Sequence, residues 1–205
     1  MHLLDETEKT RIRELIQSVE KQTSGEIVTV IAADSDEYLF IPTLWAALIS
    51  LLIPGVVMLT NVWIEYSLVY LVQVLSFFVL ASVFRIPAIK MRLVPGRVKK
   101  QRASRVAREQ FFLQHLHNTK DRTGVLIFVS VAEHYVEIIA DKGINDVVPQ
   151  DAWQNILADF VTQIKQGRHA QGFIDCITQC GEILHKNFPV QGDNPDELCN
   201  HLVEI

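Results

Sequence analysis

Cysteine is scarce in this chain of 205 residues, and the three present, Cys176, Cys180 and Cys199, are odd in number and follow no spacing of a small disulfide framework. That excludes a stapled secreted mini-fold and points to a reducing compartment. Cys176 and Cys180 stand four apart on a predicted helix, but no further ligand sits at metal-site spacing, so buried or interfacial thiols are the better reading. The amino terminus lacks the uninterrupted apolar stretch of a signal peptide, because Asp5, Glu6, Glu8, Lys9, Arg11 and Arg13 occupy its place. Repeats at a solenoid or propeller period are missing, as are low-complexity tracts. So are a glycine-rich phosphate loop, a cysteine with a following arginine cradle and a nucleophile elbow. Charge is absent over two long runs, Tyr38 to Ile64 and Tyr66 to Phe84, which only Glu65 separates.

Those runs are the chain's most informative feature. A helix of about 20 apolar residues crosses a bilayer core roughly 30 Å thick, and the pair predicts a transmembrane helical hairpin over 38–84. The first helix is expected over residues 39–60, with Pro42 at its start and a bend near Pro54 and Gly55, where a backbone donor is lost. Asn61 to Glu65 is then the far-side turn. Trp63, Tyr66 and Tyr70 gather around it, with Tyr38 and Phe40 at the other boundary, as interfacial aromatics do. The lack of charge inside either span gives no sign of an ion pathway.

Directly after the second span come Arg85, Lys90, Arg92, Arg97, Lys99 and Lys100, followed by Arg102, Arg105 and Arg108, with no acidic residue before Glu109. The far-side turn carries no Lys or Arg. Positive charge stays on the cytoplasmic side, so both termini of a two-pass protein are expected in the cytoplasm. The basic stretch also resembles a phosphate-binding footprint. The topology already requires it, however, and anionic lipid headgroups attract such residues at about 1 kcal/mol each. The lipid bilayer is therefore the expected partner, and nucleic acid is not. The formal net charge of -5 is modest, and its distribution says more than its size.

The flanking sequences read as one split α/β domain. Ile12, Leu15, Ile16 and Val19 recur at helical spacing between Asp5 and Gln22, with Gly25 as the expected stop. Residues 26–33, Glu-Ile-Val-Thr-Val-Ile-Ala-Ala, read as a strand covered on both faces. Residues 97–118 read as a helix, Gly124 to Val131 as the clearest buried strand, and Tyr135 to Ala140 as its antiparallel hairpin partner. Two more helices are predicted, from Gln150 to Gln166, stopped by Gly167, and from His169 to Asn187. The tail from Phe188, with Gly192, Asp193, Asn194 and Pro195, reads as an exposed extended or turning segment. The expected organisation is a domain in two parts, 1–37 and 85–189, around the hairpin 38–84, with a tail at 190–205.

The succession Ser24-Gly25-Glu26-Ile27-Val28, Thr123-Gly124-Val125-Leu126-Ile127 and Tyr135 to Ile144, followed by Trp153 to Phe160 and Gln166-Gly167 to Gly172-Phe173, resembles the TPM domain family. The resemblance covers roughly residues 5–34 and 97–188, and order and spacing carry it more than any one motif. It implies an α/β sandwich with a small mixed sheet between helices, and association with membrane protein complexes. It also implies a test for chemistry, since some members have been associated with phosphatase activity and divalent metals.

For this chain the metal candidates are Asp34 and Asp36, after strand one, and Asp141, at the end of the hairpin beside Asp146. Carboxylates at the carboxyl edge of a sheet suit calcium or magnesium, which can polarise a phosphoryl oxygen. Against that, Asp34 can simply end a strand, and Asp141 before Lys142-Gly143 is an ordinary turn residue. His115, His117, His134 and His169 have no acid partner in the sequence and read as surface or boundary residues. No catalytic residue is assigned. The expected function is a noncatalytic membrane-anchored module that binds or maintains another membrane protein, with a divalent-metal phosphatase on Asp34, Asp36 and Asp141 as the alternative.

Overall fold

A computed structural model describes residues 4–59, 65–190, 198 and 202–205. It divides into two compact units, Met1–Ser35 with Arg102–Ile205, and Asp36–Gln101.

The first unit opens with helix α1, Glu6–Glu20, whose start is a capping box. The Glu8 amide donates to Asp5 Oδ1 at 2.6 Å, and the Asp5 amide donates back to Glu8 Oε2 at 2.9 Å. Ile12 and Ile16, four apart, are fully buried. Strand β1, Glu26–Ala32, follows; all seven of its residues are buried, as continuous apolar sequence requires. Gly25 does not supply the left-handed stop that its position suggests. Instead it leaves room for Leu184, whose side chain would lie 3.1 Å from an added Cβ.

Strand β2, Gly124–Ser130, runs parallel to β1 over its whole length, from Glu26 opposite Gly124 to Ala32 opposite Ser130. Strand β3, Tyr135–Ala140, returns antiparallel, with Val125 opposite Ala140 and Ser130 opposite Tyr135. A fourth strand was not expected. Leu202–Glu204, β4, lies parallel to β1 on its other side, giving the order β3-β2-β1-β4. The end of the tail is therefore part of the sheet. The Ala33 amide donates to the Ile205 carbonyl at 2.8 Å and the Ile205 amide to that of Ile31 at 3.0 Å. Buried Lys9 anchors the strand through Glu204 at 2.9 Å. Gly192, Asp193, Asn194 and Pro195 lie outside the described residues.

Alternation along the strands divides two cores. Ile27, Ile31, Val125, Ile127 and Val129 face α1 and two long helices, α8 and α9, formed by Gln150–Lys165 and His169–Asn187. Val28, Val30, Ala32, Leu126 and Phe128 form the other core with Ala103, Ala107 and Phe111 of α6, the helix Gly96–Leu113. The molecule thus has a four-stranded mixed sheet flanked by helices. Phe160 and Phe173 join α8 to α9 edge to face, with ring centres 4.9 Å apart. Gly167, at φ 76°, supplies the left-handed stop between them.

Helix α6 ends five residues before the predicted limit. His115 turns left-handed at φ 58°, and Leu116–Asn118 form a short 3-10 turn whose Leu116 is fully buried in the second core. The charge and apolar periodicity of 97–118 conceal that turn.

In the second unit the first apolar run forms α2, Phe40–Leu51, and α3, Ile53–Leu59. The break at Leu52 precedes Pro54, which lacks a donor and crowds the carbonyl four residues back. The second run is one helix, α4, Tyr66–Phe84, which buries none of its residues. Helix α2 packs on α4 and buries Pro42, Ala46 and Ser50, spaced four apart. A short helix that was not expected, α5, follows at Pro87–Leu93 and opens with proline at its first position. Phe40–Leu59 and Tyr66–Phe84 are each long and apolar enough to cross a membrane, with mean hydropathy 2.1 and 2.2. Trp63 and Asn61 lie outside the described residues.

Candidate functional site

The strand register decides the fate of the three proposed metal ligands. Asp34 follows β1 at the carboxyl end of the sheet and is exposed. Asp141 follows β3, and its amide donates at 2.9 Å to the carbonyl of Gly124, the first residue of β2. Because β3 is antiparallel, Asp141 sits at the opposite end of the sheet from Asp34. A seven-residue strand at about 3.3 Å per residue puts roughly 20 Å between the two. Asp36 begins the other unit, and its Oδ1 accepts the Tyr38 amide at 2.7 Å. Asp34, Asp36 and Asp141 therefore do not form one metal site for calcium or magnesium. Among the described residues no three His, Cys, Asp or Glu side chains are grouped to hold an ion.

Asp141 has a different task. Arg122, left-handed at φ 57°, donates from Nε and Nη2 to its two carboxylate oxygens at 2.6 and 3.0 Å, and the Lys142 amide donates to Oδ1 at 2.7 Å. Burial presses the carboxyl upward, but the hydrogen bonds from Arg122 and Lys142, with the Arg122 charge, outweigh it and hold Asp141 below the ordinary carboxylate value. The same contact raises Arg122. Helix α7, Lys142–Asn145, begins on Asp141 as its cap. A Cβ on Gly143 would lie 2.4 Å from the Asp121 carbonyl oxygen, so this corner admits only glycine. It is a structural clamp.

At the carboxyl end of β2 a second polar cluster is buried. Glu133 accepts the Ser35 amide at 3.1 Å and the Ser130 hydroxyl, and the Ser35 and Ser130 hydroxyls are 2.8 Å apart. The cluster ties the exit of β1 to the turn between β2 and β3.

Beside this turn lies a cavity of about 580 Å³. Its walls are Val129, Val131, Val136, Val161 and Ile164, and its polar members include His134, Lys165 and His169. These come from the β2–β3 turn, the end of α8 and the first residue of α9. His134 takes φ 51° at the end of the turn. Tyr135 contributes its ring while its hydroxyl is held by Glu137 at 3.1 Å. Burial, with the Glu137 charge, raises the Tyr135 phenol despite an opposing hydrogen bond from Ser104. Histidines 134 and 169, 35 positions apart in sequence and read there as surface residues, thus share one cavity. No sequence spacing could pair them, because only the packing of α8 against β3 brings the two together.

Cys176 and Cys180 are buried, free thiols. The hydrogen bond to Cys180, together with burial, pushes the Cys176 thiol well above its ordinary value, so it stays protonated and unreactive. Cys199 lies outside the described residues. Among the basic residues, Arg85, Arg92, Arg97 and Lys100 are exposed. Lys90 donates to the Glu37 carbonyl at 3.0 Å and Lys99 to the Met91 carbonyl at 2.9 Å.

Residues 89–183 match the family model of the TPM domain. Among solved structures it is similar to the NMR structure of BA42, a protein from the psychrophilic bacterium Bizionia argentinensis. That likeness has a TM-score of 0.62 and 25% sequence identity, covering 100% of this chain and 97% of that one. No curated protein matches.

Proposed function

We propose that this chain is a noncatalytic, membrane-anchored TPM-domain protein that binds or helps maintain another membrane protein or complex. The observation that carries the reading is the insertion of two apolar helices, one with no buried residue, between the first strand and the rest of the domain. In water such a surface has no solvent; in lipid it needs no cover. The protein passes the bacterial inner membrane twice with both termini in the cytoplasm. The exposed Arg85, Arg92, Arg97 and Lys100 lie at anionic headgroups there.

A phosphatase using a metal on Asp34, Asp36 and Asp141 has no common site from which to act, because the sheet separates Asp34 from Asp141. The test is crosslinking in intact membranes followed by purification in mild detergent. A reproducible membrane-protein partner, retained by Asp34→Ala, is the expected result. Failure to recover any specific partner, or metal-dependent phosphate release that Asp34→Ala abolishes, overturns the proposal.

A further inference from the structure

The geometry points to a ligand site in the cavity beside the β2–β3 turn, built for a small organic anion with an apolar body, such as an aryl carboxylate. Its volume, about 580 Å³, falls in the range of small-molecule sites, roughly 300–1,000 Å³. The lining is divided by chemistry. Val129, Val131, Val136 and Val161 offer an apolar wall, while His134, Lys165 and His169 offer nitrogen donors. Among the described residues no carboxylate lines the cavity and Lys165 makes no ion pair. An anion entering there meets a cation whose charge is not already neutralised.

His169 sharpens the polarity. Its Nδ1 is buried and meets no hydrogen-bond partner among the described residues. A proton placed on that atom would be a buried donor without an acceptor, so the neutral ring carries its proton on Nε2. The ring is then a donor through Nε2, the role that recognises an anion's oxygen. Tyr135 cannot compete for that role, since its hydroxyl is already given to Glu137.

The cavity also sits where an open α/β sheet places ligands, beyond the carboxyl end of a parallel strand, here β2. It lies wholly within the unit formed by Met1–Ser35 and Arg102–Ile205, and it uses none of the residues of the Arg122–Asp141 clamp. The site does not depend on the membrane reading.

The experiment uses the full chain in detergent with three probes: phenylacetate, acetate, which keeps the charge alone, and benzyl alcohol, which keeps the body alone. Calorimetry and methyl NMR follow binding. Phenylacetate is expected to saturate one site and shift the methyls of Val129, Val131 and Val161, with acetate and benzyl alcohol each at least about tenfold weaker. Losing charge-assisted contacts in the double variant Lys165→Gln, His169→Gln should weaken phenylacetate by about tenfold or more and leave benzyl alcohol unchanged. Val161→Trp, which fills the cavity from a half-buried helix position, should abolish binding of phenylacetate while circular dichroism stays native. Three results overturn the proposal: no methyl shift, acetate binding as tightly as phenylacetate, or phenylacetate binding that survives both variants. If Val161→Trp unfolds the chain, the double variant decides alone.

Discussion

Gly143 and Asp141 show how much of this fold rests on single positions. At Gly143 the conflict is with backbone oxygen, which cannot swing aside as a side chain can. Gly143→Ala should therefore cost at least about 1–3 kcal/mol, the usual range for overpacking, measured by urea unfolding in detergent; an unchanged midpoint would mean that the corner relaxes freely. For Asp141 the folded carboxyl is held below its unfolded value. Its contribution is then complete above the unfolded value, near pH 4, and is lost as pH falls through the folded value. Asp141→Asn keeps a capping side chain but removes the titration. The variant should lose less stability than wild type between pH 5 and pH 3, and equal losses would contradict the assignment.

Elements were legible in proportion to their length and periodicity. Ile12 and Ile16 mark α1, the β-branched runs mark β1 and β2, and Trp153, Ile156 and Phe160 mark α8, because each pattern spans several turns or a whole strand. Strand β4 was not legible, since Leu202, Val203 and Glu204 are too few to show a period, and β1 confers their strand character by pairing. Helix α5 was hidden beneath the charge of Lys90 and Arg92, which draws attention to the membrane surface. The candidate site fared worse. Asp34 and Asp141 both follow strands in the sequence, and only the antiparallel register shows that those strand ends are opposite. His134 and His169 show the converse, remote in sequence yet joined by packing. The role of β4 can be checked alone. Deleting residues 202–205 removes the acceptor of the Ala33 amide. Ala33 should then exchange its hydrogen rapidly while Val125 stays protected, and a still-protected Ala33 would show that β4 does not hold this edge.

At the scale of the whole molecule, one domain is written in two pieces of sequence. The TPM match covers residues 89–183, yet β1, which lies between β2 and β4 and is buried along its length, comes from residues before the apolar helices. A chain beginning at Arg102 would expose the β2 edge and leave Leu126 and Phe128 without Val28 and Val30 beside them. Such a fragment should fail to fold, shown by collapsed amide dispersion in NMR. A native-like spectrum would mean that the second piece is sufficient.

The role proposed for this chain at another membrane protein depends on its apolar helices residing in lipid. The direct measurement is the distribution of the full-length protein after cells are broken and their membranes washed in alkaline carbonate without detergent. The account predicts that the chain stays in the membrane pellet and leaves it only when detergent is added. Recovery in the carbonate supernatant would contradict it.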